Sequence, residues 1–231
     1  MAINESKLFP SQRLRVAYLL ALVGGYLDAY TYFLRGGVFA NAQTGNIVKL
    51  GIALADNGGV PEHWVHYLLP ILAYTAGLFA AIIIEELLAR KGSRLIRRTV
   101  LVVEMVGLAA VGFIPFSEDG NMLANCIISF VAAMQFEAFK SFRGQAIATT
   151  MSTGNLRKFA ESIFAAVLHD DAEQYASASI FASVIVAFTC GAFLGAKVCM
   201  DLGAAAVAPA IALLGTAVVV ITSLHRRNRA T

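Results

Sequence analysis

Charge is what this chain has least of. Asp, Glu, Lys and Arg make up 14% of its 231 residues, against 58% hydrophobic residues, and the mean hydropathy is +0.69. A soluble domain carries roughly a quarter charged residues, so an ordinary water-facing surface is excluded. Cysteine is also scarce: Cys126, Cys190 and Cys199 lie in apolar stretches without C-x-x-C spacing. That argues for packing and against a disulfide framework or thiolate metal site. The histidines, His63, His66, His169 and His225, fall in loops or a tail and make no metal cluster. The net charge of +3 comes from short basic clusters beside apolar runs, which is the pattern of membrane orientation and not of nucleic-acid binding. Neither a Ser/His/Asp set nor an H-E-x-x-H run appears in the apolar stretches, so no enzyme and no cofactor are expected.

What is present is apolar length. Runs able to cross a hydrocarbon core of about 30 Å occur at about 14–34, 66–89, 98–115, 122–142, 176–199 and 206–224. The first is long and carries Asp28, unlike a cleaved secretory segment, so it reads as a retained span.

The chain also repeats itself. Thr44-Gly45-Asn46 recurs as Thr153-Gly154-Asn155, 109 residues later, and the same slide lays Asp28 on Glu137, Phe33 on Phe142 and Lys49 on Lys158. A slide of 114 lays residues 73–79 over 187–193. The expectation is one membrane domain in two repeats, 1–115 and 116–231, joined by a hinge at 116–121. Each repeat holds three spans and one short helix, 44–56 in the first and 153–168 in the second. Thirteen residues from Thr44 to Asp56 make about 20 Å of helix and 153–168 about 24 Å, both short of the core. The short helices are therefore expected to be re-entrant.

Basic residues set the orientation. With six crossings and the termini in the cytoplasm, fifteen of the eighteen Lys and Arg residues lie inside, and only Arg35, Lys49 and Lys197 lie outside. Eight crossings would put twelve outside. The positive-inside bias favours six. Three crossings per half forces the second half to insert upside down, giving an all-α polytopic membrane protein of six transmembrane helices plus two re-entrant helices in 3+3 inverted-topology repeats.

The residues before Thr44, at 36–43, are rich in Gly, Asn and Gln and suit non-helical backbone, which survives at membrane depth only when shielded or lining a wet cavity. Thr44 is expected to cap the first short helix, Gly45 to allow close approach, and Asn46 to offer both donor and acceptor. The second motif would face the first from the opposite leaflet. Two helix N-termini would then meet centrally, with Lys49 and Lys158 adding positive charge: a site for a small polar solute, anions included. The solute-contacting set is thus Thr44, Gly45, Asn46, Lys49, Thr153, Gly154, Asn155 and Lys158. The same turns could equally cap two helices, with the Asn side chains satisfying loop carbonyls.

Asp28 and Glu137 fall at equivalent places, each about 6–8 Å from the bilayer centre. Ionisable groups at that depth usually serve function. They read either as a proton-coupling or gating pair, or as carboxylates held by a neighbouring Lys49, Lys158, Lys140 or Arg35 or by loop N–H groups. Glu104 is a secondary candidate without a counterpart. Gly191-x-x-x-Gly195 and Gly77-x-x-x-Ala81 read as helix-packing faces.

Residues 25–29, followed by 37–41 and Thr44-Gly45-Asn46, resemble the YoaK-like family of bacterial inner-membrane proteins over roughly residues 12–225. That family is a domain of unknown function expected to cross the membrane several times. The resemblance implies a bacterial cytoplasmic membrane location and supplies no substrate. Gln43 stands where an apolar residue is expected and makes the loop more polar. Two functions follow as expectations. One is a small secondary transporter or facilitator for a polar solute, and a chain this small suggests a homodimer. The other is a non-transporting membrane protein that binds a protein partner or lipid, whose space between the short helices would be packed and dry.

Overall fold

The computed structural model describes residues 10–55, 64–89, 93–142 and 145–229. The acidic loop 56–62, Lys7, His63, Arg90, Lys91 and Arg143 lie outside the described residues, as do the side chains of Arg13, Arg94, His225, Arg226, Arg227 and Arg229.

Among the described residues eight α-helices follow one another: α1 (Pro10–Leu34), α2 (Gln43–Ala55), α3 (Val65–Leu88), α4 (Ser93–Val111), α5 (Glu118–Ala138), α6 (Thr153–His169), α7 (Ala172–Leu202) and α8 (Ala208–Arg229), with a 3-10 turn at Gly203–Val207 before the last. No strand occurs among the described residues, only an isolated bridge between Phe142 and Gln145. The helix ends have local causes. Ser117 Oγ accepts from the Gly120 N–H at 3.1 Å, and Glu118 and Asp119 occupy the first turn of α5, where the helix dipole favours negative charge. The expected hinge at 116–121 is therefore largely the start of a helix. Asp171 caps α7 by accepting from the Glu173 N–H at 2.8 Å, and α7 ends on Gly203 at φ +52°, a conformation that suits glycine.

α1, α3, α7 and α8 are long and apolar enough to cross a membrane. Large apolar side chains such as Phe79, Ile83, Leu87, Val106, Val186, Phe193 and Val219 point outward and are exposed, a surface that requires hydrocarbon around it. This is a helical membrane protein. Two expected spans fall outside that group: α4 carries Arg94, Arg97, Arg98 and Glu104 in 19 residues, and α5 carries Glu118, Asp119 and Glu137 with several amides. α2 and α6, at 13 and 17 residues, measure about 20 and 25 Å.

α1 is the central helix. Its apolar stretch is 67% buried, against 22% for α3, 33% for α7 and 28% for α8. It packs along α7, and α3 packs along α5; α2 lies on α3 and α6 on α7; α4 touches α5 and α8 touches α1. Each contact has a counterpart when the first four helices are exchanged for the last four. The closest approaches correspond too. A Cβ on Gly191 would run into the Leu22 carbonyl of α1, and one on Gly77 into the Phe130 carbonyl of α5. Helix axes come this near only where a side chain is missing.

Gly191→Ala is expected to cost about 1–3 kcal/mol, because the α1–α7 pair must part. Gly51→Ala, on α2 with nothing within 4 Å of the added methyl, is expected to stabilise by about 0.5–1 kcal/mol. Thermal unfolding in detergent distinguishes the two.

Candidate functional site

Between α1 and α2 the chain leaves helical geometry at 35–42, where Gly36 and Gly37 turn it back at φ +85° and +74°. Its backbone groups are then met by side chains. The Asn41 N–H donates to Asp28 Oδ1 at 2.7 Å and the Ala40 N–H to Thr31 Oγ1 at 3.2 Å. Asn41 Nδ2 donates to the Gly24 carbonyl at 3.0 Å. From the other side, Asn46 accepts from the Phe39 N–H at 3.0 Å and donates to the Phe39 carbonyl at 2.7 Å. Gln43 donates to the Ala40 carbonyl at 2.8 Å and accepts from Asn46 Nδ2 at 2.9 Å. Each such group left unpaired would cost about 1–3 kcal/mol. Gln43, the polar departure noted in the sequence, is a tie within this loop.

The second break, between α5 and α6, is held by the same device. Asn155 accepts from the Ala148 N–H at 3.2 Å and donates to the Ala148 carbonyl at 2.6 Å and the Met151 carbonyl at 3.1 Å. Phe39 precedes Asn46 by seven residues, as Ala148 precedes Asn155. The carboxylates diverge. Asp28 lies six residues before the end of α1, buried at 5% exposure against the loop. Glu137 is one residue from the end of α5. There it pairs with Lys140 at 2.5 Å, and Lys140 also reaches Glu85 at 3.2 Å. Their surroundings differ because α5 stops sooner after its acid than α1 does: Asp28 meets a loop N–H group and Glu137 meets Lys140, the contacts named in the second of the two readings of these carboxylates.

Between the two breaks lies a cavity of about 1030 Å³. Asp28, Tyr32, Phe39 and Thr44 line it from the first half, and Thr150, Ser152, Thr153, Gly154, Asn155 and Lys158 from the second, with Phe136, Lys140, Arg157 and Phe188 completing the wall. Six of the expected site residues therefore meet there: Asp28, Thr44, Thr153, Gly154, Asn155 and Lys158. Four do not. Asn46 is turned to the loop, Gly45 lies under the Phe39 ring (2.9 Å from where a Cβ would stand), and Glu137 is on Lys140. Lys49 Nζ donates to the Gly37 carbonyl and stands 4.7 and 4.6 Å from the Tyr32 and Phe39 ring centres, so its charge is spent on the loop. Thr44 is the second residue of α2 rather than its cap, since Gln43 already belongs to the helix.

Within the wall, Thr44 and Thr153 are exposed, the Thr150 hydroxyl stands beside that of Tyr74, and the Ser152 hydroxyl is buried with no partner in the protein. Buried hydroxyls are normally satisfied, so the idle Ser152 hydroxyl beside the cavity stands out. Three of the four charged lining residues are cationic: Lys140, Arg157 and Lys158. Arg157 and Lys158 both contact Glu161, at 2.7 and 2.9 Å.

Sequence reasoning placed Arg35 outside the membrane and missed its role. It is 1% exposed and sends its guanidinium to the carbonyls of Val111, Ile114 and Pro115 at 3.1–3.3 Å, to the Tyr30 hydroxyl and to Asn121. The Phe116 ring centre lies 4.1 Å away. This cation caps the C-terminal end of α4 and ties it to α1. The signal available in the sequence was a lone arginine directly after an apolar span.

Asn155→Ala and Asn46→Ala are each expected to lower stability by about 1–3 kcal/mol in thermal unfolding, since three loop groups in the first and two in the second lose a partner. Arg35→Lys is expected to cost about 2–3 kcal/mol in the same measurement, because an ammonium cannot reach carbonyls in so many directions.

No curated protein and no solved structure matches this chain. One family model does, described as a protein of unknown function, and it matches residues 16–221. That range contains both breaks, both short helices and every residue of the cavity wall, and by it the chain belongs to the DUF1275 family.

Proposed function

We propose that this chain is a small secondary transporter or facilitator for a small polar solute, anions included, with its site in the cavity between the two Thr-Gly-Asn segments. The carrying observation is that a single cavity is lined by Thr44 of the first segment and by Thr153, Gly154, Asn155 and Lys158 of the second. Two exposed threonine hydroxyls, the idle Ser152 hydroxyl and three cationic side chains, each also paired with a glutamate, suit an anion or a strongly polar molecule. The architecture that goes with this reading is six crossings and two re-entrant helices in a bacterial cytoplasmic membrane, with both termini cytoplasmic and the halves inverted. The exchange symmetry of the helix contacts and the short lengths of α2 and α6 support it, as does the YoaK-like resemblance. In this arrangement Lys140, Arg157 and Lys158 mark the cytoplasmic mouth of the cavity. Asp28 acts as a gate holding the first loop, and Glu137 positions Lys140.

A second reading, a non-transporting protein that binds a lipid or protein partner, draws on one observation. Phe39, Phe136, Ile147, Met151 and Phe188 supply much of the wall, an apolar lining that fits an acyl chain as well as a solute with a hydrocarbon part.

The test begins with a thermal-shift screen of the purified protein, where a ligand at a hundredfold excess over its Kd raises stability by about 2.7 kcal/mol. The ligand found is then followed into proteoliposomes. Lys158→Ala is expected to weaken its binding about tenfold, and Asp28→Asn to slow its uptake while Gly51→Ala leaves uptake intact. Uptake indistinguishable from empty liposomes, with a lipid giving the largest shift, would replace transport by the second reading. Topology is checked separately: Ser93→Cys is expected to react with an impermeant thiol reagent only from the cytoplasmic side.

A further inference from the structure

Apart from the cavity wall, α4 and α5 bury a second polar cluster. Glu104, in the middle of α4, is 1% exposed, and no ion pair among the described residues includes it. Facing it from α5 is Gln135, also 1% exposed, and beyond Gln135 lies Thr149 on the loop before α6, again 1% exposed. The Gln135 carboxamide fits between them in two ways. With its nitrogen towards α4 it donates to Glu104 Oε2 at 2.9 Å and Oε1 at 3.1 Å. Its oxygen then faces Thr149, whose hydroxyl is free to turn and donate to it. Turned over, its nitrogen donates to Thr149 Oγ1 at 3.4 Å, and its oxygen faces the Glu104 carboxyl. A carboxylate has no hydrogen to give that oxygen, whereas a carboxylic acid does. The first orientation therefore satisfies ionised Glu104 and the second satisfies protonated Glu104.

The surroundings decide little else about its charge. α8 and the 3-10 turn present no ionisable side chain among residues 203–223, apart from neutral hydroxyls. α3 contributes the buried Tyr74, and Glu137 of α5 is held by Lys140. On α4 itself Arg97 is seven residues away, directed to the Ala138 carbonyl at 3.2 Å, and Arg98 six. The loop 145–152 carries no charge. A carboxyl kept from water with no cation beside it is a costly charge.

We propose that Glu104 is a proton-binding site whose occupancy is read at the cavity through Gln135 and Thr149. Binding takes a proton from water and forms the O–H bond on a Glu104 oxygen; release returns it to water. No atom of Gln135 is transferred. Its amide turns over, and the Thr149 hydroxyl changes from donor to acceptor. Thr149 lies between Ala148, the residue clamped by Asn155, and Thr150, which lines the cavity wall. The proton state of α4 is thereby passed to the backbone that shapes the second Thr-Gly-Asn site. The inference rests on the proposed function only in taking the cavity as a ligand chamber.

Infrared difference spectra of the purified protein between acid and alkaline pH report the carbonyl stretch of a protonated carboxylic acid. Exposed carboxyls titrate together at acid pH; the expected result is one further band, titrating apart from them, that persists in Asp28→Asn and disappears in Glu104→Gln. That separate band surviving in Glu104→Gln overturns the assignment, as does a native spectrum in which only the exposed carboxyls titrate. Should Glu104→Gln fail to fold, Glu104→Asp serves: the band must shift in frequency, and an unshifted band overturns the site. The readout is tested by thiol labelling of Thr153→Cys, with Cys126, Cys190 and Cys199 replaced by alanine. Labelling rate is expected to change at least severalfold across the titration, and Gln135→Leu is expected to abolish that change while leaving the band. Labelling that still follows pH in Gln135→Leu overturns the relay. None of these measurements uses flux. A protein that moves no solute yet titrates at Glu104 removes the transport reading and leaves the proton site standing.

Discussion

Backbone that leaves helical geometry among apolar side chains has no water to turn to, and its N–H and C=O groups must be met by the protein. The loops before α2 and α6 are such segments, and several of the polar residues buried among the described residues serve them. Asp28, Thr31, Asn41, Gln43 and Asn46 hold the first loop; Asn155 holds the second. Arg35 answers the same demand at the end of α4, where a helix terminus leaves carbonyls unpaired. Because the side chains are committed in this way, each loop is tied to its neighbours, and the space between the loops is walled by them.

This constraint also explains which residues are left over. Asn46 and Asn155 look from their type like ligand-binding amides, but each uses both ends of its amide on a residue seven positions earlier. Lys49 is committed to a glycine carbonyl and two rings. What remains turned to the cavity is Thr44, Thr153 and Ser152, together with Lys140, Arg157 and Lys158, whose charges are shared with glutamates. The two halves are alike in their clamps and unlike in their openings. Glycine crossings at Gly77 and Gly191 set both long pairs at the same closeness, yet only Lys158 of the two matching lysines lines the cavity.

Much of the fold was legible in residue pattern. Apolar length located the helices. The doubled Thr-Gly-Asn located both short helices within a residue or two, because a threonine and a glycine near a helix start, followed by an asparagine one turn in, are local signals. Small residues four apart located the tight crossings. The helix ends at 111, 117 and 138 were less legible, since they depend on a serine cap and on an arginine arriving from a helix that ended some 75 residues earlier. The candidate site was legible as a pair of segments and not as a set of contacts. Asp28 and Glu137 match in register, but the distance from each acid to the end of its own helix separates their surroundings.

The sequence by itself determined a helical chain for an apolar medium, broken at two places by the same short motif, because hydropathy and capping are properties of neighbours along the chain. Only the tertiary structure decided how the polar groups are divided between holding loops and facing a cavity. It also brought Glu104, Gln135 and Thr149 into one line from three separate segments. That division depends on which side chain reaches a bare backbone group first, and reach is set by helix packing, which no local pattern records.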